Sequence, residues 1–157
     1  MPGDRRVGEI LSTVDETRRF NLIAGLVLAD PARVRATAAS LLAQTEIEKR
    51  TLGVDLLGQL ATVSTDSRPE IAEQILDALG MDDAPGFVAA CVIALGHAED
   101  ARAREAVVRL ADHPDPEVRF AVAFAMPIIA LDDEAADALR RLSGADEANC
   151  AKFGEAL

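Results

Sequence analysis

Apolar residues recur along this chain at helical spacing and almost nowhere alternate. The stretches 8–14, 16–28, 32–44, 47–62, 69–79, 85–95, 101–111, 116–130, 133–142 and 147–157 place apolar positions three and four residues apart, which is the period of one helix face. No segment keeps the two-residue period of a strand over a useful length. Pro31, Pro69, Pro85 and Pro116 each open one of these stretches, where proline is tolerated because the amides of a first helical turn are unpaired in any case. Asp30 and Asp115 directly precede two of them and supply N-cap carboxylates. The pattern predicts an all-α chain with short turns between antiparallel neighbours.

The chain also resembles itself. Residues 87–96 (FVAACVIALG) superimpose on residues 118–127 (VRFAVAFAMP) at a spacing of 31 without a gap, and Leu79 falls on Leu110 at the same spacing. Residues 49–58 match residues 87–96 at 38, the excess falling near Ser64–Arg68, and residues 148–151 match 118–121 at 30. A helix pair of this size cannot bury its own apolar face, but a stack of them can.

The stretch Asp112-His113-Pro114-Asp115-Pro116-Glu117-Val118-Arg119, followed by alanines, resembles the Asp…Val-Arg…Ala…Leu pattern of HEAT repeats, and more narrowly the short, PBS-lyase-type HEAT repeats common in bacterial proteins. Leu57-Gly58 and Leu95-Gly96 look like that family's helix-ending Leu-Gly. The resemblance covers about residues 32–157. It implies a right-handed α-solenoid of about four HEAT-like helix pairs (approximately 32–63, 67–96, 99–131 and 132–157) behind an N-terminal helical cap over 1–31. The second pair departs from the pattern with Phe87-Val88 where Val-Arg is expected, and the fourth with Ala148-Asn149. The family's turn Asp, six residues before the Arg, is Asp82 in the second pair but His113 in the third, so an Asp–Arg ladder along the stack is expected to be interrupted.

At about 100° per residue, Val118, Val122, Ala125, Met126 and Ile129 share one side of their helix and form the core seam, on which Cys91 aligns with Val122. Phe120, Phe124 and Pro127 fall opposite. The equivalent positions are Thr51, Asp55 and Gly58 one way and Ala89, Ile93 and Gly96 the other. The resemblance puts these second helices on the concave surface. Ile93, Phe120 and Phe124 are then the expected anchors for a protein partner, with Arg50 and Arg119 as polar partners. Against this, the rings could instead pack laterally on neighbouring second helices, and an Arg at the Val-Arg position could serve an internal turn or ladder contact.

Composition narrows the function. Half of the residues are apolar but only 3% are aromatic, with no Trp or Tyr, which disfavours a sandwich or barrel. The formal charge of −11, from 16 basic and 27 acidic residues, disfavours nucleic acid and anionic membranes, both of which need a basic face. Acids gather where helices begin, at Asp82/Asp83, Glu99/Asp100, Asp132–Glu134 and Asp146/Glu147, where they complement helix dipoles. Cys91 and Cys150 form neither a metal pair nor a disulfide framework, and no apolar run at the N-terminus marks a signal peptide, so a cytoplasmic location is expected.

No catalytic, cofactor-binding or metal-ligating set is predicted. His97 and His113 lie beside acids but lack a ligand pair at helical spacing. The serines show no nucleophile-elbow context, neither Cys sits in a Cys/His signature, and no phosphate loop is present. The expected role is a non-catalytic interaction scaffold. One alternative is a lyase acting on a tetrapyrrole, or an accessory to protein modification, for which His113 and Asp115 would have to converge in a closed pocket. Another is a structural subunit that self-associates through the C-terminal face, since no polar capping repeat follows residues 147–157. A shortened member of a longer family would show the same ending.

Overall fold

The computed structural model describes residues 2–129 and 132–145. The helices are α1 (Pro2–Ser12), α2 (Glu16–Ala29), α3 (Pro31–Leu42), α4 (Ile47–Val63), α5 (Arg68–Leu79), α6 (Pro85–Ala98), α7 (Arg104–Arg109), α8 (Pro116–Ile129) and α9 (Asp133–Ala145). Single 3₁₀ turns at Thr65–Ser67 and Ala101–Ala103 lead into α5 and α7. No strand occurs among the described residues. The expected helix over 147–157, with Cys150 and the C-terminal face, lies outside them.

The packing runs in chain order, as an all-α solenoid requires. α3 packs on α4, α5 on α6 and α7 on α8, while the second helices also pack on one another, α4 on α6 and α6 on α8. α9 follows on α8, and α2 leans on α4 from the other end of the row. The core lies between the layers. It includes Val34 and Ala38 of α3, Leu52, Leu56 and Leu57 of α4, Ile71 and Ile75 of α5, and Phe87, Val92 and Leu95 of α6. α6 carries no charged residue apart from His97 and buries nine residues, as a helix with neighbours on most sides must.

Local chemistry sets the boundaries. Asp15, Asp30 and Asp132 accept hydrogen bonds from the amides of Arg18, Arg33 and Ala135 at 2.6, 3.0 and 2.9 Å, each N-cap being worth about 1 kcal/mol. α1 begins six residues earlier than its apolar pattern suggests, since Pro2 is compatible with a first turn. It ends at Ser12, where the hydroxyls of Ser12 and Thr13 both donate to the carbonyl of Glu9. The stretch 101–111 is not one helix. Asp100 accepts from the amide and guanidinium of Arg102 and tightens the first turn, and bonds from Leu110 and Ala111 to carbonyls three residues back tighten the last.

The glycines of the two Leu-Gly pairs do not end their helices. α4 continues to Val63 beyond Gly58, and α6 to Ala98 beyond Gly96. A Cβ on Gly58 would lie 3.0 Å from Ala94 Cβ and 3.1 Å from Ala94 Cα, and one on Gly96 would lie 3.1 Å from Phe124 Cε1 and 3.2 Å from Ala125 Cα. Both glycines let adjacent second helices come close. The residue that does leave the helix is Glu99, at φ 53°, ψ 35°.

Candidate functional site

The helix seam read from the repeat is the buried one. Val118, Val122, Ala125, Met126 and Ile129 of α8 are all buried, and so is Cys91. Burial, together with the nearby charge of Asp55, pushes the Cys91 thiol up to about 12, so it is a protonated core group. On the opposite side, Phe120 and Phe124 are half-buried and Pro127 is exposed.

A cavity of about 470 Å³ opens on that side of the second helices. Its floor comes from α4, with Asp55, Gly58 and Gln59, and from α6, with Ala90, Ile93, Ala94 and His97; α2 supplies a wall with Glu16, Arg19, Phe20 and Ile23. The floor is apolar because the close approach at Gly58 brings Ala94 against α4. The wall exists because α2 buries only Ile23, Leu26 and Val27, leaving its N-terminal half over the groove with Phe20 56% exposed.

Five polar side chains line this space: Glu16, Arg19, Asp55, Gln59 and His97. Arg19 Nη2 donates to Asp55 Oδ2 at 3.2 Å across the α2–α4 junction, and both side chains are about a third exposed (32% each). Arg19 Nε is buried without a hydrogen-bond partner. Burial pushes Asp55 up to about 6, against the opposing pull of Arg19. Burial likewise lowers His97, aided by Arg68 and opposed by Glu99. The His97 ring meets Phe124 edge-on at 5.5 Å between centroids.

Of the expected anchors, Ile93 lies in the groove floor and Phe124 adjoins it through His97. Phe124 also packs laterally over Gly96. Phe120 lies one turn earlier on α8. Arg50 and Arg119 are elsewhere, each reaching back to its own turn. Arg50 Nε donates to the Gln44 carbonyl at 2.6 Å, and Arg119 Nη1 to the carbonyls of His113 and Pro114, both at 2.8 Å. Arg50 Nη1 also stands 3.8 Å from Asp82, one rung of the expected ladder. Val88 and His113 occupy the next rung and interrupt it, and Arg104 instead bridges forward to Asp132 and Glu134.

His113 and Asp115 do not form a reactive pair: the Asp115 amide donates to His113 Nδ1 at 3.1 Å and closes a turn. No group of three His, Cys, Asp or Glu side chains among the described residues is arranged to hold a metal ion. No described helix is long and apolar enough to cross a membrane. Arg19, Phe20 and the α2 wall are absent from the expected anchors because the repeat pattern does not extend to α2. Asp55 had a signal, being the acidic member of a column whose equivalents are Ile93 and Phe124.

Helical hairpins stacked in order, with an open groove along their second helices, define an α-solenoid. The family model for HEAT repeats matches residues 72–153, more than half of the chain, and the chain belongs to that family. No curated protein and no solved structure gives a match. HEAT repeats generally act as protein-interaction scaffolds and are typically non-catalytic.

Proposed function

We propose that this protein is a non-catalytic scaffold that takes a segment of another protein into the groove formed by α2, α4 and α6. The observation that carries this reading is an open, mostly apolar cavity of about 470 Å³ with an exposed Phe20 at its wall and Ile93 in its floor. Exposed contiguous apolar surface marks interaction sites, and a groove built on packed helices loses little ordering entropy on docking. Phe120 and Phe124 extend the surface along α8. Arg50 and Arg119 are assigned to partner contacts outside the groove. The division into an N-terminal cap over 1–31 and repeats over 32–157 belongs to the same reading, with the cap doubling as a groove wall. A buried, protonated Cys91 supports the cytoplasm as the compartment.

A photo-crosslinking residue at position 93, introduced in the native cell, tests this. Crosslinks to a defined partner segment are expected from position 93 and not from position 14, which is 94% exposed and does not line the groove. Phe120→Ala combined with Phe124→Ala should weaken that capture while circular dichroism shows helical content retained. Equal crosslinking from both positions, or capture unchanged in the double variant, would overturn the reading.

A further inference from the structure

The groove sets the apolar side chains of Phe20, Ile23, Ala90, Ile93 and Ala94 beside the carboxylates of Glu16 and Asp55. We infer that the segment it receives is an apolar stretch of a partner protein carrying a lysine or arginine, whose cation sits against Asp55 and Glu16. This inference rests on the groove reading above.

The position of Asp55 is the first support. It stands on α4 where the repeat places Ile93 on α6 and Phe124 on α8, so an acid replaces an apolar residue in the one hairpin that faces α2. Its ion-pair partner Arg19 does not offset the burial, since the carboxyl is still pushed up to about 6. A half-buried carboxylate with a single cationic partner still costs the fold, and a second cation brought by a binding segment would lower that cost. Perturbed groups of this kind collect at functional positions.

Two carboxylates, Glu16 and Asp55, stand against the one guanidinium of Arg19, so the lining is net acidic. Glu16 and Arg19 from α2 and Gln59 from α4 share the lining with Asp55. From α6, Cys91 stays protonated and burial disfavours the charged form of His97, so neither opposes a cation near neutral pH. The chain's net charge of −11 steers a basic segment toward it and an acidic one away. An acidic segment would also meet two like charges in the groove.

The probes are two synthetic amphipathic helical peptides, one of leucine and lysine and one of leucine and glutamate in the same order, titrated calorimetrically into the whole protein. The leucine–lysine peptide is expected to bind saturably and the leucine–glutamate peptide not to. Asp55→Asn should weaken binding about tenfold. Asp66→Asn, an equal charge change on an exposed turn outside the groove, should leave binding unchanged. No binding of the lysine peptide, equal binding of both peptides, or an Asp55→Asn effect no larger than that of Asp66→Asn overturns the inference. Ile93→Ser separates the two readings, with folding checked by circular dichroism. If Ile93→Ser weakens binding and Asp55→Asn does not, the groove stands and the basic residue falls. If neither does, both fall.

Discussion

α4 meets one helix of the row on each side, and the two junctions are built on different chemistry. Toward α6, Gly58 removes a side chain so that Ala94 Cβ comes to 3.0 Å from where a Cβ would be, and the two helices touch. Toward α2, the junction is bridged by the Arg19–Asp55 pair and leaves a cavity beside it. A close, glycine-mediated contact tolerates no added atom, since packed interiors have few voids. An ion-paired, partly exposed contact tolerates substitution and leaves room for a ligand. The repeat thus supplies a rigid floor, and the departure from the repeat at α2 supplies the opening.

The largest expected effect comes from filling the close α4–α6 contact. Gly58→Leu should lower the unfolding free energy by about 3 kcal/mol, because the neighbour in the way includes Ala94 backbone that cannot rotate aside. Gly25→Ala in α2, where nothing lies within 4 Å of the new methyl, should instead raise stability by about 0.5–1 kcal/mol through helix propensity. Urea unfolding of both variants reads the contrast. Similar responses at the two sites would mean that the α4–α6 contact at Gly58 is not close.

The ion-paired junction is probed by pH. The folded pKa of Asp55, about 6, lies above its ordinary value of 3.8. Between those values the native chain holds a proton that the unfolded chain releases, so stability from this group declines as pH rises through the window. Asp55→Asn removes the effect. The stability advantage of the variant over the parent should therefore grow from about pH 4 to about pH 7, by about 1–2 kcal/mol after allowing for the exposure of the pair to solvent. Parallel stability curves for the two proteins would show that Arg19 fully offsets the burial.

The smallest effect is expected at the end of α6. Glu99 holds a left-handed conformation that glycine adopts without strain, and it also pairs with Arg68 at 3.0 Å. Glu99→Gly should raise the melting free energy by about 0.5 kcal/mol, the relief of strain exceeding a solvent-screened ion pair. A loss of stability in a thermal melt would show that the Arg68 contact helps to hold α6 in place.

Much of the architecture was legible in the order of residues because it rests on local rules. The helix period, N-terminal prolines and aspartate caps placed most helices within a few residues of where they occur. The repeat alignment sorted α8 into a buried seam and an opposite face without error at Val118, Val122, Ala125, Met126 and Ile129. The short α7 escaped because it depends on a few local hydrogen bonds rather than on periodicity, and the early start of α1 because its first turn carries almost no apolar residue. The anchors were legible only in part. Ile93, which lines the cavity, belongs to a repeating column. Phe20 and Arg19 were not legible, because α2 has no counterpart in the repeat from which to read its orientation.

The sequence by itself determined that this chain is helical, repetitive and too finely divided to bury its faces except by stacking, since those are consequences of period, composition and hairpin size. Only the tertiary structure decided that Gly58 and Gly96 serve close approach rather than helix termination, that Arg50 and Arg119 are turned toward their own loops, and that Asp55 faces Arg19 across a groove. Each of these depends on how near a second helix comes, and distances between elements far apart in the chain are fixed by packing that no local pattern encodes.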